Sequence, residues 1–252
     1  MKLRNAMVLA VWICAVLVLR AAYAAEGHHE WGYRAKHGPA HCGELKPEFA
    51  SCGIGKVQSP IDIRNAVHAK LDPIRFDYRP TPLHIIDNGH TIQVNYGAGS
   101  SMSVGDQRYA LVQFHFHKPS EERVNGKSYP MVAHLVHKNS EGALAVVAVL
   151  LKEGRENPLV QALWTNLPAE KDKEKAEEKI VVDAAQLLPA NHAYYTFPGS
   201  LTTPPCSEGV TWFVLVTASE LSKAQIARFG KIYSGNARPV QPLNGRTIKV
   251  SQ

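Results

Sequence analysis

Long apolar runs are scarce in the 252-residue sequence: residues 6–19 form the one uncharged stretch approaching membrane length, and a bilayer needs about 20. Basic residues exceed acidic ones only mildly, 28 Lys and Arg against 22 Asp and Glu, and no basic block interleaved with aromatics marks a nucleic-acid track. Internal repeats are absent. So is the H-E-x-x-H helix that would supply the ligands and base of a zinc protease. Cysteine is rare, at 4 residues. With 45% hydrophobic and 20% charged residues, the chain is neither disordered nor collagen-like, and its length suits a single domain.

The apolar run reads as an export signal. Lys2 and Arg4 form a positive start, residues 6–19 the apolar middle, and Ala22-Tyr23-Ala24 the small-residue cleavage site. Cleavage after Ala24 is expected, which leaves a soluble domain over residues 25–252 in an oxidising compartment, periplasmic or secreted, with no membrane contact. Cys14 departs with the signal. Cys42, Cys52 and Cys206 remain, an odd set whose pairing the cysteine pattern alone leaves open.

The rest reads as mainly β with a few short helices. Residues 25–60 lack a sustained period and suggest an irregular wrap. Residues 91–96 and 109–117 alternate with period two, with Val112, Phe114 and Phe116 expected on one face and Leu111, Gln113, His115 and His117 on the other. Residues 131–137 form another strand candidate. The apolar runs 143–151 and 210–216 suit central strands covered on both faces. Helices are expected over 158–166, over the charged 169–179, and over 223–229, the last with Ser222 and Gln225 as a capping box, a Leu221/Ile226 staple and Gly230 as its stop.

The histidines carry the chemistry. Positions i and i+2 of a strand share a face, so His115 and His117 present two imidazoles side by side. His134, in the following strand candidate, completes a set of three if that strand returns antiparallel to the first. Three imidazoles with an open fourth position describe a catalytic zinc site, whereas a structural site closes with a fourth protein ligand. Gln113, on the histidine face, is placed to accept a hydrogen bond from a ligand's second nitrogen.

From Trp31-Gly32-Tyr33 the chain runs through Gln58-Ser59-Pro60-Ile61-Asp62-Ile63, Asn88-Gly89-His90, Gln113-Phe114-His115-Phe116-His117, Ser120-Glu121 and Ala133-His134-Leu135-Val136-His137. It continues through Gly199-Ser200-Leu201-Thr202-Thr203-Pro204-Pro205 to Asn236-Ala237-Arg238-Pro239 and Gln241-Pro242. That ordered succession, spanning nearly the whole mature chain, resembles the α-class carbonic anhydrases of exported bacterial type. The resemblance implies one domain on a large, twisted, mostly antiparallel sheet, with Zn2+ at the bottom of a conical cleft. It implies reversible hydration of carbon dioxide to bicarbonate and a proton, by attack of a zinc-held hydroxide, with ester hydrolysis as a side activity and sulfonamides or anions as inhibitors at the metal.

Carried over position by position, the zinc ligands are His115, His117 and His134. Thr202 orients the hydroxide and Glu121 accepts the hydrogen bond of the Thr202 hydroxyl. Thr203 contacts bicarbonate, and Val136, Val146, Leu201, Val210 and Trp212 form the apolar wall for carbon dioxide. Tyr33, Asn88 and Gln93 line the polar side. His90 is the proton shuttle, suited by an imidazole pKa near ~6.5. Gln113 supports His115, and the Asn236 backbone supports His117. Cys52 and Cys206 match a disulfide of exported members. Non-catalytic members of the family lack one or more ligand histidines, and all three are present here. A homodimer is compatible with the sequence.

Four positions depart from the better-known members. Val132 stands where a Glu usually precedes the third ligand by two residues, so a water, a backbone carbonyl or another side chain must serve His134, or zinc affinity and the basicity of that ligand fall. Glu122 stands where a His is usual, and Lys118 where an aromatic is common. Cys42 occupies a common Trp position.

Overall fold

The structure is a computed structural model that describes residues 30–251. The export signal assigned to residues 1–24, with Cys14, lies outside the described residues. From residue 30 to 60 the chain is the irregular wrap expected, with single turns of helix at Ala35–His37, Cys42–Leu45, Pro47–Phe49 and Ser51–Ile54.

A 13-stranded sheet dominates the described residues. Its central order is Ile92–Asn95, Gln107–His117, Met131–Lys138, Leu144–Glu153, Glu208–Leu215 and Tyr194–Ser200. Most neighbours are antiparallel. Leu144–Glu153 is the exception at the centre, pairing parallel with Glu208–Leu215 and Ser219–Leu221. A small second sheet joins Asp62–Ile63 to Arg123–Val124 and Lys127–Ser128.

Strand Leu144–Glu153 explains why its sequence is apolar at successive positions. Ala145, Val147, Val149 and Leu151 enter one core, and Val146, Ala148 and Leu150 enter another on the opposite face. The first core is closed by helices Pro158–Thr165 and Lys223–Ile232, whose Trp164 and Phe229 meet Phe116 at ring distances of 5.1 and 6.2 Å. Burying Phe114 and Phe116 there is worth roughly 2 to 3 kcal/mol each, which commits the intervening His115 and His117 to the other face.

Three expectations change. Leu111 is 3% exposed and Val112 44%, the reverse of the predicted faces. A bulge is the reason: Gln113 pairs with Val136 and Leu111 with His137, so Val112 is an extra residue that resets parity. Residues 169–179 form no helix. Glu174–Val182 instead pairs antiparallel with Thr81–Asp87 at the end of the sheet, where its alternating Lys and Glu keep an edge solvated. Tertiary pairing overrides helical propensity there. The last helix runs past Gly230 to Ile232; a Cβ at Gly230 would stand 3.1 Å from Lys118 Cε, so the glycine admits a neighbour instead of ending the helix. Its capping box forms as expected.

Candidate metal centre

The His115 strand and the His134 strand are antiparallel neighbours, and His115 lies directly opposite His134. The rings of His115, His117 and His134 have centroids 4.7 to 5.4 Å apart, and one nitrogen from each lies within 4.8 Å of the others. This group could hold a metal ion.

Each ring has one nitrogen fixed from behind. His115 Nδ1 donates to Gln113 Oε1 at 2.8 Å, and His117 Nδ1 to the Asn236 carbonyl at 2.7 Å. His134 Nε2 donates to Glu122 Oε1 at 2.9 Å. The opposite nitrogens are left as lone pairs facing one another, and buried His117 Nε2 has no hydrogen-bond partner. Burial holds the His115 imidazole down to about 3 and His117 well below its ordinary value, with His134 adding to both. Burial also pulls His134 down, but the Glu122 carboxylate and, behind it, Glu121 together outweigh it and the net direction is up. Nitrogen donors at this spacing, without a cysteine among them, fit a zinc ion with an open vertex.

Glu121 lies beneath the triad. Its Oε2 is 3.6 Å from His117 Nε2 and 3.9 Å from His134 Nδ1, and its Oε1 accepts the Arg238 backbone N–H at 2.7 Å. Burial pushes Glu121 up to about 7, opposed by His134, the Arg238 amide and the Thr202 hydroxyl. Arg238 received no role from the sequence beyond belonging to a matched string. Its buried guanidinium donates to Gln58 Oε1, the Ser59 carbonyl and the Cys52 carbonyl at 2.7 to 2.9 Å, tying Glu121 to the disulfide segment.

Thr202 is buried and Thr203 half-buried on the loop after Tyr194–Ser200. The Thr203 carbonyl accepts from the Cys206 amide at 2.9 Å. Cys206 is joined to Cys52 in a disulfide, and buried Cys42 brings its sulfur within 4.8 Å of both. Burial pushes the Cys42 thiol up, with Arg238 opposing.

Val136, Val146, Leu201, Val210 and Trp212 fall in one apolar cluster. Val136 is opposite Val146, Val146 beside Trp212, and the Trp212 ring 5.0 Å from His134. Gly199 makes room for that indole, since a Cβ there would stand 2.7 Å from Trp212 Cδ1. On the polar side, Gln93 pairs opposite His115, and Asn88 Nδ2 donates to Gln93 Oε1 at 3.3 Å. The Tyr33 hydroxyl is buried. His90 stands outside the triad, its ring stacked on Trp31 at 3.7 Å beside a cavity of about 410 Å³ that Tyr33 also lines. Asn236 links the two regions: its side chain donates to the His90 carbonyl at 3.0 Å while its own carbonyl holds His117.

The sequence reading missed Glu122 as the partner of His134. A second acid beside Glu121, together with the missing carboxylate at Val132, was the available signal. No helix of the described residues is long and apolar enough to cross a membrane.

A family model described as eukaryotic-type carbonic anhydrase matches residues 37–252. A carbonic anhydrase of Nostoc is 50% identical over 223 residues, 86% of this chain and 84% of its own. A carbonic anhydrase of Neisseria gonorrhoeae is 43% identical over 242 residues, 94% of this chain and 95% of its own. The solved α-carbonic anhydrase of Thermovibrio ammonificans, in complex with the inhibitor sulfanilamide, superposes with a TM-score of 0.83 at 45% identity, covering 88% of this chain and 98% of that one.

Proposed function

The chain belongs to the eukaryotic-type, or α, family of carbonic anhydrases, enzymes that interconvert carbon dioxide and water with bicarbonate and a proton, and from that premise we propose that it works through zinc held by His115, His117 and His134. The observation that carries this reading is the convergence of three imidazoles, each with its far nitrogen fixed and its near nitrogen turned inward. When bound, zinc supplies a Lewis acid that brings the pKa of water down to about 7, the value known for carbonic anhydrase itself, so hydroxide is available near neutral pH.

The chain's own residues direct that nucleophile. Glu121 in its carboxylate form can only accept, so it would accept the hydrogen bond of the Thr202 hydroxyl and leave the Thr202 oxygen free to accept another. A hydroxide held by that oxygen keeps its lone pair aimed at carbon. Carbon dioxide has no net dipole, and the wall of Val136, Val146, Leu201, Val210 and Trp212 beside His134 suits it. Thr203 contacts bicarbonate as it forms, with Tyr33, Asn88 and Gln93 on the wet side. His90 takes up the released proton on one ring nitrogen and passes it outward from the other. Activated esters are hydrolysed at the same place as a side activity.

The N-terminal pattern supports export with cleavage after Ala24, to the periplasm or beyond, and a disulfide joining Cys52 and Cys206 suits that compartment. Stopped-flow hydration followed with a pH dye tests the whole reading. Activity should vanish after metal removal with a chelator, return with zinc, and fall on adding a sulfonamide. Hydration that persists in a chain shown to be metal-free would overturn it.

A further inference from the structure

Glu122 is fully buried, yet among the described residues its ion-pair partner is neither Lys nor Arg but His134, at 2.9 Å. Its second oxygen is buried without a hydrogen-bond partner. A carboxylate kept in so dry a place, with one oxygen unsatisfied, needs a compensating role. Val132 shares its face with His134 and with His117, its cross-strand partner, but packs into an apolar cluster with Val146 and Leu150 and offers no acceptor. Position 132 is where better-known members of the family place the acid for the third ligand.

Resting on the reading of the triad as a zinc site, we propose that Glu122 is the positioning residue of the third ligand, holding His134 with Nδ1 aimed at the ion from a loop rather than from the ligand strand. The loop is rigid enough for the task. Ser120 Oγ donates to the Glu122 carbonyl at 2.7 Å and itself accepts the Tyr129 amide at 2.9 Å. Immediately after Glu122, Arg123–Val124 pairs in register with Asp62–Ile63, and the Arg123 amide donates to the Ile61 carbonyl. The carboxylate is therefore pinned on both sides of its Cα. The Glu usual at position 132 and the His usual at 122 are replaced together by Val132 and Glu122, so the acid has moved and the face it left has become apolar.

The test compares zinc affinity, by chelator competition, in the wild type, Glu122→Gln and the double variant Glu122→His/Val132→Glu, with the melting of each metal-free protein measured alongside. Glu122→Gln keeps shape and hydrogen bonding but loses the charge. It should melt like the wild type yet bind zinc about tenfold to a hundredfold more weakly, the range found for such partners in zinc sites, carbonic anhydrases among them. The double variant, which returns the acid to the strand, should recover most of that loss. Equal zinc affinity in Glu122→Gln and the wild type overturns the proposal while leaving the zinc site standing; a wild type that binds no zinc overturns both. Should Glu122→Gln fail to fold, the imidazole ¹⁵N shifts of the zinc-loaded wild type decide: His134 must carry its proton on Nε2, and the opposite tautomer refutes the role.

Discussion

His115 and His134 are directly opposed across two antiparallel strands, with ring centroids 5.4 Å apart, although 19 residues separate them in the chain. Because the pair is held by register and not by a flexible loop, either ring is lost only by substitution. His115→Ala or His134→Ala should each reduce zinc, measured by mass spectrometry of dialysed protein, from about one equivalent to near none, since a third nitrogen donor is needed to hold the ion. Carbon dioxide hydration should fall to the uncatalysed background. Full zinc occupancy in either variant would remove these rings from the ligand set.

His90 lies outside the triad and stacks on Trp31. His90→Ala should leave zinc content unchanged and slow turnover in dilute buffer by about tenfold to a hundredfold, at or below the lower end for a positioned proton-transfer group. Added imidazole should restore the rate. Unchanged turnover in dilute buffer would mean that the proton leaves by another route.

The Cys52–Cys206 disulfide closes a separation of 154 residues, for which the loop-entropy description gives about 5 kcal/mol of stabilisation. A single replacement is a poor test, because the Cys42 sulfur lies within 4.8 Å of both partners and could pair with whichever thiol is left. Cys52→Ala/Cys206→Ala should lower the urea unfolding midpoint markedly. Hydration activity should suffer as well, because the Thr202 loop runs directly into Cys206. A midpoint unchanged from wild type would show that the bridge constrains little.

Buried His137 has its imidazole lowered to about 4 by desolvation, and its Nε2 is hydrogen-bonded to the Tyr78 hydroxyl at 2.8 Å. The unfolded chain takes up that proton near pH ~6.5, so below this point the unfolded state holds the extra proton. Stability from this residue is complete above about pH 6.5 and drains as the pH falls, with a total near 3 kcal/mol lost by about pH 4. Urea unfolding of His137→Gln between pH 7 and 4 should show a shallower decline than wild type. Parallel declines would place the acid sensitivity elsewhere.

Much of the site was legible because strand parity is a local rule. Phe114 and Phe116 need burial, which turns His115 and His117 outward together, and Gln113 follows by the same count. The rule failed two residues earlier, at Leu111 and Val112, because a bulge is set by how the partner strand pairs and leaves little trace in one strand's own sequence. The charged segment 169–179 failed for a related reason. Lys and Glu favour a helix in isolation, but an unpaired edge at Thr81–Asp87 offers a ladder of hydrogen bonds that local propensity does not register.

The sequence by itself determined the donor chemistry: two imidazoles, His115 and His117, on strand positions that share a face, a third, His134, in the next strand candidate, and no competing thiolate among them. Tertiary structure alone decided the rest of what surrounds those donors beyond Gln113 and Asn236. That Glu122 reaches His134, that Arg238 underlies Glu121, and that Cys42 abuts a disulfide are contacts between distant segments. Periodicity reports only which face a side chain takes. The neighbour it meets depends on how the whole sheet and its loops close around a buried polar group that must find a partner.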